Sequence, residues 1–285
     1  MKPAPIHAAL AEALGTFLLV LFGCGSVHAA VLMEAQSGVW QVAIVWGVAI
    51  MLAAYTCGGI SGAHINPAMT IALAIWGRFE WPRVPAYIVA QLAGAFAAAA
   101  VLFFLYEAQI EALEKAKQVE RGDLGSIITA TCYGEYYPAP GGLAGGDKPF
   151  QEAQWQAISA RVPHSIAFVA EVLGTAILSL VVFAVTDKRN TAGPPAGMAP
   201  VFIGLTVAIL ISIIAPLTQA CFNPARDFGP RLFAYVAGWG WVAIPGPNGS
   251  GFFTVYILAP TLGAIAGGGL YEMYLRNLLP AQAAR

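Results

Sequence analysis

Asn66-Pro67-Ala68 and Asn223-Pro224-Ala225 are two copies of one tripeptide, and each follows a long uncharged run of the chain. In both copies an Asn that can cap a helix precedes a Pro at the first helical position, which is how many helices begin. A helix that begins inside an apolar stretch begins inside a membrane. The pair therefore indicates a pore rather than a simple bundle of spanning helices.

The composition is that of a polytopic membrane protein. Hydrophobic residues make up 58% of the 285 residues, charged residues make up 10%, and the mean hydropathy is +0.69. About a quarter of the residues of a soluble domain are charged. The net charge of −1 favours neither nucleic acid nor an anionic surface as a partner. Cys24, Cys57, Cys132 and Cys221 show no metal or disulfide spacing, so we expect no metal and no cofactor.

Charge-free windows long enough to cross a bilayer, which takes about 20 residues, define six predicted spans. These are 8–32, 40–58, 84–106, 164–186, 198–216 and 252–274. The first span lacks a cleavage site after a short apolar core, so we expect it to be retained rather than removed as a signal peptide. Segments 67–77 and 224–235 are half-length helices of about 15 Å, which should dip into the membrane and return. Non-helical backbone at that depth is tolerated only when it is buried in protein or lines water.

The basic residues predict the orientation. In the six-span arrangement one side carries Lys2, Arg78, Arg83, Lys188, Arg189, Arg276 and Arg285. Both termini are therefore expected in the cytoplasm, with the chain in the plasma (inner) membrane. Segment 107–163 is expected to be an external loop with a short helix at Glu107–Val119. The simplest interpretation of this loop is a solvated connection without a function of its own.

The two halves of the chain are repeats. Ala-Glu-Ala-Leu-Gly-Thr at 11–16 recurs as Ala-Glu-Val-Leu-Gly-Thr at 170–175, and Gly47 recurs at Gly204 with the offset of the two tripeptides. Each half has three spans, so the second half must enter the membrane with opposite polarity. We predict an all-α membrane protein of six transmembrane helices and two re-entrant half-helices in an inverted repeat. It forms one channel domain over 1–285, with repeat one at 8–106 and repeat two at 164–276.

Two half-helices that meet start to start make the centre of a pore electropositive, because each start presents about half a unit of positive charge. Each Asn can cap its own helix through its oxygen while its NH₂ faces the pore. Asn66 and Asn223 would then donate to the same passing oxygen, which turns the protons of that oxygen outward. A chain of waters arranged in this way does not conduct protons.

At this point the sequence resembles a known family over nearly its full length. Segments 61–68 (Ser-Gly-Ala-His-Ile-Asn-Pro-Ala) and 222–230 (Phe-Asn-Pro-Ala-Arg-Asp-Phe-Gly-Pro) are similar to the paired signatures of the major intrinsic protein family, the aquaporins and aquaglyceroporins. Asp227 after Arg226 resembles the bacterial glycerol facilitators. The resemblance implies a homotetramer with one pore per subunit.

An arginine inside the membrane is costly and usually functional, and Arg226 offers five donors to a hydroxylated solute. The resemblance implies a selectivity filter of Arg226 with Trp46, Ile211 and Ala220. Glycerol facilitators typically carry a second aromatic and a Gly in place of Ala220 and Ile211. The set found here resembles the filter of plant nodulin-like members, which pass glycerol, ammonia or metalloid hydroxides.

Glu12 and Glu171 occupy matching places in the first and fourth spans. An intramembrane acid can couple transport to protons, or these carboxylates can accept N–H groups from the re-entrant loops; the symmetry and the resemblance favour the second. Asp227 is expected to brace its own loop. The resemblance further implies a pore lined by the backbone of Gly62, Ala63, His64, Thr218, Gln219 and Cys221.

These patterns predict a passive channel for glycerol and similar small uncharged solutes, with some water permeability and exclusion of protons and ions. No catalytic motif is present, so we expect no enzymatic activity. A facilitator for metalloid hydroxides (arsenite, boric acid) or ammonia is the first alternative. A proton-coupled transporter that uses Glu12 and Glu171 is the second, and a purely structural membrane protein is the third.

Overall fold

The computed structural model describes residues 4–280, so Lys2 and Arg285, which entered the orientation argument, lie outside the described range. Within it, six helices are long and apolar enough to cross a membrane. They are α1 (Pro5–Met33), α2 (Val39–Ser61), α4 (Val84–Lys117), α7 (His164–Thr186), α8 (Ala199–Thr218) and α10 (Gly251–Leu278). The shorter helices are α3 (Pro67–Ile75), α5 (Ile127–Ala130), α6 (Glu152–Ser159) and α9 (Pro224–Ala234). The predicted fold class is confirmed.

The half-helices α3 and α9 begin at the two tripeptides. Asn66 Oδ1 accepts from Ala68 N at 2.9 Å, and Asn223 Oδ1 accepts from Ala225 N at 3.0 Å, so each Asn caps the helix that follows it. With 9 and 11 residues the two helices are about 14 and 17 Å long at 1.5 Å per residue. Each therefore spans about half the hydrocarbon thickness.

Glycine lets the spanning helices approach closely at matching points in the two halves. A Cβ on Gly47 would lie 2.6 Å from the Gly204 carbonyl oxygen, and one on Gly204 would lie 2.3 Å from the Gly47 oxygen. This is the crossing of α2 and α8. A Cβ on Gly94 would likewise meet the backbone of α1, and one on Gly263 the backbone of α7. The same backbone contact in each half is what an inverted repeat produces.

The connection between α4 and α7 differs from the expectation. Helix α4 continues without a break to Lys117, so Glu107–Val119 does not form a separate helix. The prediction of a solvated loop is wrong for 125–138, where every residue is buried. The physical reason is its apolar content: Ile127, Ile128 and Tyr133 pack in one cluster with Trp239. This segment therefore folds back onto the helices.

Candidate functional site

The two half-helices meet at their starts. Asn66 Nδ2 donates to the Phe222 carbonyl oxygen at 2.8 Å, and Asn223 Nδ2 donates to the Ile65 carbonyl oxygen at 2.8 Å. Each Asn thus caps its own helix and is bound to the loop of the opposite half. An amide NH₂ has two donors, so one N–H of each Asn remains for another acceptor. Both Asn side chains line a cavity.

Two cavities lie end to end in the molecule. The first cavity, of about 400 Å³, is lined by Asn66 and Asn223 and reaches Arg78 and Pro200 at its far end. The second cavity, of about 580 Å³, is lined by parts of α1, α2, α8 and the loop after Ala139. Three side chains line both cavities: Trp46, Ile211 and Arg226. The two cavities therefore meet at this layer, which we call the constriction.

Within the constriction, the guanidinium carbon of Arg226 lies 4.3 Å from the centroid of the Trp46 ring. This distance is within the range of a cation–π interaction. Ile211 reaches the layer from α8, and Ala220 lines the first cavity beside it. Gly23 makes room for the ring, because a Cβ there would lie 2.2 Å from a Trp46 ring carbon. The four residues predicted for the filter are thus brought together.

The residues predicted to line the pore are distributed unequally. Gly62, Ala63, His64 and Cys221 line the first cavity, and Gln219 lines the second. Thr218 lines neither of these cavities, and the expectation that its backbone lines the pore stays a prediction. It is the last residue of α8, it is fully buried, and its hydroxyl donates to Glu171 Oε1 at 2.6 Å. This hydrogen bond turns the side chain toward α7 instead of the passage.

Glu12 lies fully buried against the first re-entrant loop. Its carboxylate accepts the backbone N–H of His64 at 2.9 Å and of Ile65 at 2.7 Å. Gln91 of α4 donates to the same carboxylate at 2.7 Å. A buried backbone N–H without an acceptor is costly, and this loop has no sheet or helix to supply one. Glu12 supplies the missing acceptors.

Glu171 makes the equivalent contacts in the second half. Its carboxylate accepts the backbone N–H of Cys221 at 2.9 Å and of Phe222 at 2.9 Å. The two carboxylates therefore hold equivalent pairs of donors in the two re-entrant loops.

The re-entrant loops are strained at the same points. Left-handed φ values occur at Gly62 (88°), Ala63 (48°) and Ile65 (43°), and at Gln219 (63°), Ala220 (62°) and Phe222 (53°). Each residue of the first set matches one of the second at the offset of the two tripeptides. Such a conformation costs about 1–3 kcal/mol for a residue other than Gly, and it persists only where the surroundings impose it. The hydrogen bonds to Glu12 and Glu171 are part of those surroundings.

Comparison with known proteins agrees with this architecture. The sequence profile of the family described as "Major intrinsic protein" matches residues 1–271. This chain belongs to the major intrinsic protein family. The resemblance seen in the two signature segments is therefore confirmed.

Relatives of this chain include uptake facilitators. The glycerol uptake facilitator protein of Pseudomonas aeruginosa is 42% identical over 283 residues, which are 99% of this chain and 93% of the relative. The propanediol uptake facilitator PduF of Citrobacter freundii is 40% identical, covering 97% of this chain and 94% of the relative. The X-ray structure of the aquaglyceroporin from Plasmodium falciparum matches with a TM-score of 0.77 at 24% identity, covering 96% and 98% of the two chains. That match supports the fold.

The sequence reasoning missed two charged residues of this major intrinsic protein, Glu135 and Arg231. Arg226 forms an ion pair with Glu135 of the loop between α4 and α7. Asp227, adjacent to Arg226, instead pairs with Arg231 at 2.8 Å. Its carboxylate also accepts from Glu135 N at 2.6 Å. The sequence does carry one signal, because Glu135 is the single charged residue between Asp123 and Asp147.

The electrostatics of Glu135 follow from its position. Its side chain has no exposed surface. Burial raises the pKa of the carboxyl to about 8, while the Arg226 guanidinium acts in the opposite direction. Glu135 is thus a buried acid in contact with a residue of the constriction.

Proposed function

We propose that the protein is a passive transmembrane channel for glycerol and similar small uncharged solutes, with some water permeability. The observation that carries the proposal is that two cavities meet at a layer of Trp46, Ile211 and Arg226, with Asn66 and Asn223 beyond it. Relatives about 40% identical over nearly the full chain are named glycerol uptake facilitators, which supports glycerol as the solute.

Charge exclusion follows from the half-helices. Two helix starts bring positive potential to the centre of the passage, where a cation loses its hydration and gains no compensating partner. The free N–H groups of Asn66 and Asn223 donate to one passing oxygen, and a water oriented by both donors cannot relay a proton. We assign both roles, the positive potential and the orientation of water, to each whole tripeptide, because Pro67-Ala68 and Pro224-Ala225 start the helices.

The constriction combines an apolar face with a polar edge. The Trp46 ring suits the CH backbone of a polyol, and the Arg226 guanidinium donates to its hydroxyls. Ala220 and Ile211 replace the second aromatic and the Gly typical of glycerol facilitators. This composition favours, as a second candidate, a facilitator for metalloid hydroxides such as arsenite and boric acid, or for ammonia.

We assign Glu12, Glu171 and Asp227 to loop bracing rather than proton coupling. The carboxylates of Glu12 and Glu171 each accept two backbone N–H groups, and both acids must remain acceptors to keep those bonds. Asp227 holds the external loop at Glu135 N. These contacts support a static role for all three acids, and we expect no catalytic activity.

We further propose a homotetramer in the plasma (inner) membrane, with both termini in the cytoplasm. Outward-facing apolar side chains such as Phe104, Ile213 and Val236 are more than half exposed in the single chain, which supports burial against lipid or other subunits. The repeats 8–106 and 164–276 then form one channel domain per subunit, with 107–163 on the external side.

The test is light scattering on proteoliposomes that carry the purified protein, run with gradients of glycerol, urea and water. We expect glycerol permeability well above that of protein-free liposomes, with slower urea. Arsenite and boric acid are run in parallel to test the second candidate. Liposomes whose glycerol permeability matches the protein-free control would contradict the proposal.

A further inference from the structure

The guanidinium of Arg226 has two partners. It lies over the ring of Trp46, and it forms an ion pair with the carboxylate of Glu135. Glu135 comes from the loop between α4 and α7, whereas Trp46 comes from α2 and Arg226 from α9. Arg226, one of the three residues that line both cavities, is therefore held by a side chain from the loop.

The Glu135 carboxylate has little else to bind. Among residues 4–280, neither of its oxygens makes a well-formed hydrogen bond, although both are buried. A buried carboxylate without partners is costly, and removing one member of a buried pair leaves the other uncompensated. Glu12 and Glu171 differ from Glu135, because each accepts several N–H groups. The contact of Glu135 with Arg226 is thus the main interaction of its side chain.

The backbone of Glu135 is fixed independently of its side chain. Its N–H donates to Asp227, and its carbonyl oxygen accepts from Arg231. Arg231 also donates to the Ala243 carbonyl oxygen at 2.8 Å. Replacing the carboxylate by an uncharged group of the same size therefore leaves the loop anchored. The side chain can be tested without removing the loop.

We propose that Glu135 is a further selectivity residue of the channel: its carboxylate holds the Arg226 guanidinium against Trp46 and, when ionised, reduces the positive charge of the constriction. This inference rests on the proposed function. With Glu135 ionised, the positive potential of the constriction is lower, and the guanidinium is held at the side of the passage, where it still faces the solute. Without that charge, the guanidinium is free to swing into the passage, where it impedes glycerol more than the smaller water molecule.

The charge of Glu135 is expected to change within an accessible pH range, since burial raises the pKa of its carboxyl to about 8. The groups that act on it from the surrounding elements are Arg226, Asp227 and Arg231 of α9, Glu171 of α7, Tyr256 of α10, Cys24 of α1, and Cys221. Asp227 is paired with Arg231, and Glu171 is held by loop N–H groups. Glu135 is therefore the acid in this group whose protonation leaves Arg226 uncompensated.

The test compares the wild type with Glu135→Gln and with Glu120→Gln, an exposed acid of the same loop that serves as the matched control. Glycerol and water permeabilities are measured on proteoliposomes at about pH 9 and about pH 6, on either side of a pKa of about 8. At the higher pH, we expect the ratio of glycerol to water permeability to fall about threefold to tenfold in Glu135→Gln, the effect of one altered ion pair. Glu120→Gln should match the wild type.

The pH profile separates a selectivity role from a purely structural one. The wild-type ratio should fall toward the Glu135→Gln value on acidification, while the variant ratio stays flat. Glu135→Asp, which retains the charge, should restore the pH dependence. If Glu135→Gln does not fold, the wild type and Glu135→Asp are compared instead, and a wild-type ratio that is the same at both pH values contradicts the inference.

Two negative results have different meanings. A wild type that conducts glycerol with the same ratio at both pH values, and the same ratio as Glu135→Gln, would overturn this inference and leave the proposed function intact. A wild type that conducts neither glycerol nor water would overturn the proposed function, and this inference with it.

Discussion

At the residue scale, Arg226 is the side chain on which most of the proposed selectivity depends. It lines both cavities, stacks on Trp46 and carries a positive charge beside the passage. At an effective dielectric constant of about 20, a unit charge about 4 Å away changes the energy of a passing ion by about 4 kcal/mol. A nearby negative charge, such as that of Glu135, reduces this barrier.

Arg226→Ala is expected to loosen selectivity. Loss of the guanidinium widens the constriction and removes one of the two barriers to cations, so leak of small cations should rise about tenfold or more. The measurement is ion-dependent fluorescence in proteoliposomes, run beside glycerol and urea uptake. Lys188→Ala, which removes a cation from a surface loop, is the control. An unchanged solute and ion profile in Arg226→Ala would count against Arg226 as part of the filter.

Ala220→Phe should reduce glycerol permeability more than water permeability. Ala220 lines the first cavity beside the constriction, and an aromatic ring there would narrow the passage. The backbone tolerates an aromatic, because Phe222 already adopts a positive φ of 53° in the same loop. We expect about a tenfold loss for glycerol and about a twofold loss for water, measured by light scattering, because the barrier rises with solute size. Equal losses for both solutes would mean that this position does not face the constriction.

At the scale of elements, the crossing of α2 and α8 limits what the fold can accept. Gly47 and Gly204 each face the backbone of the other helix, and backbone atoms cannot move aside as a flexible side chain can. Because α2 carries Trp46 next to Gly47, the same contact that packs the helices also fixes the depth of the Trp46 ring.

Gly47→Ala is therefore expected to destabilise the protein. Its Cβ would lie 2.6 Å from the Gly204 carbonyl oxygen, so the helices must separate. Overpacking of this kind costs about 1–3 kcal/mol. The measurement is the midpoint temperature of unfolding in detergent. Gly59→Ala, in the same helix but with no atom within 4 Å of the added Cβ, should leave the midpoint unchanged. A similar midpoint for both variants would contradict close contact at this crossing.

The parts of the site that depend on local caps and on the repeat could be predicted from sequence. The meeting of Asn66 and Asn223 could be predicted because each cap is local and the inverted repeat alone brings the two starts together. Trp46 could be placed because the resemblance implies an aromatic of the second span opposite the arginine, and the offset from Asn66 identifies that aromatic. Glu135 could not, because its contact with Arg226 joins residues far apart in sequence. That contact depends on the packing of Ile127 and Tyr133, which holds the loop on the helices.

Thr218 shows how the end of a helix limits sequence reasoning. It directly precedes Gln219 and Ala220, which line the two cavities, but it is the last residue of α8, and its hydroxyl donates to Glu171. A shift of one residue in the end of a helix changes which side chains face the passage. Helix ends are the least certain part of a prediction made from sequence alone.

At the scale of the whole molecule, the proposed channel is passive, because within residues 4–280 the carboxylates of Glu12 and Glu171 are bound to loop N–H groups. We expect glycerol flux to rise linearly with the glycerol gradient and to be unaffected by an imposed proton gradient. The measurement is glycerol uptake into proteoliposomes with equal or different pH on the two sides. The internal and external pH values are exchanged as a control for effects of pH on Glu135. Saturating uptake that accelerates with inward proton flow would support a transporter instead.

The inverted repeat described above has a consequence for any cell that carries this protein. Two half-helices of the same design meet from opposite sides. A passive channel of this kind does not favour one direction of solute movement. Solute then leaves as readily as it enters once concentrations are equal. Net accumulation therefore requires that the solute be chemically converted after entry into a form that no longer fits the passage.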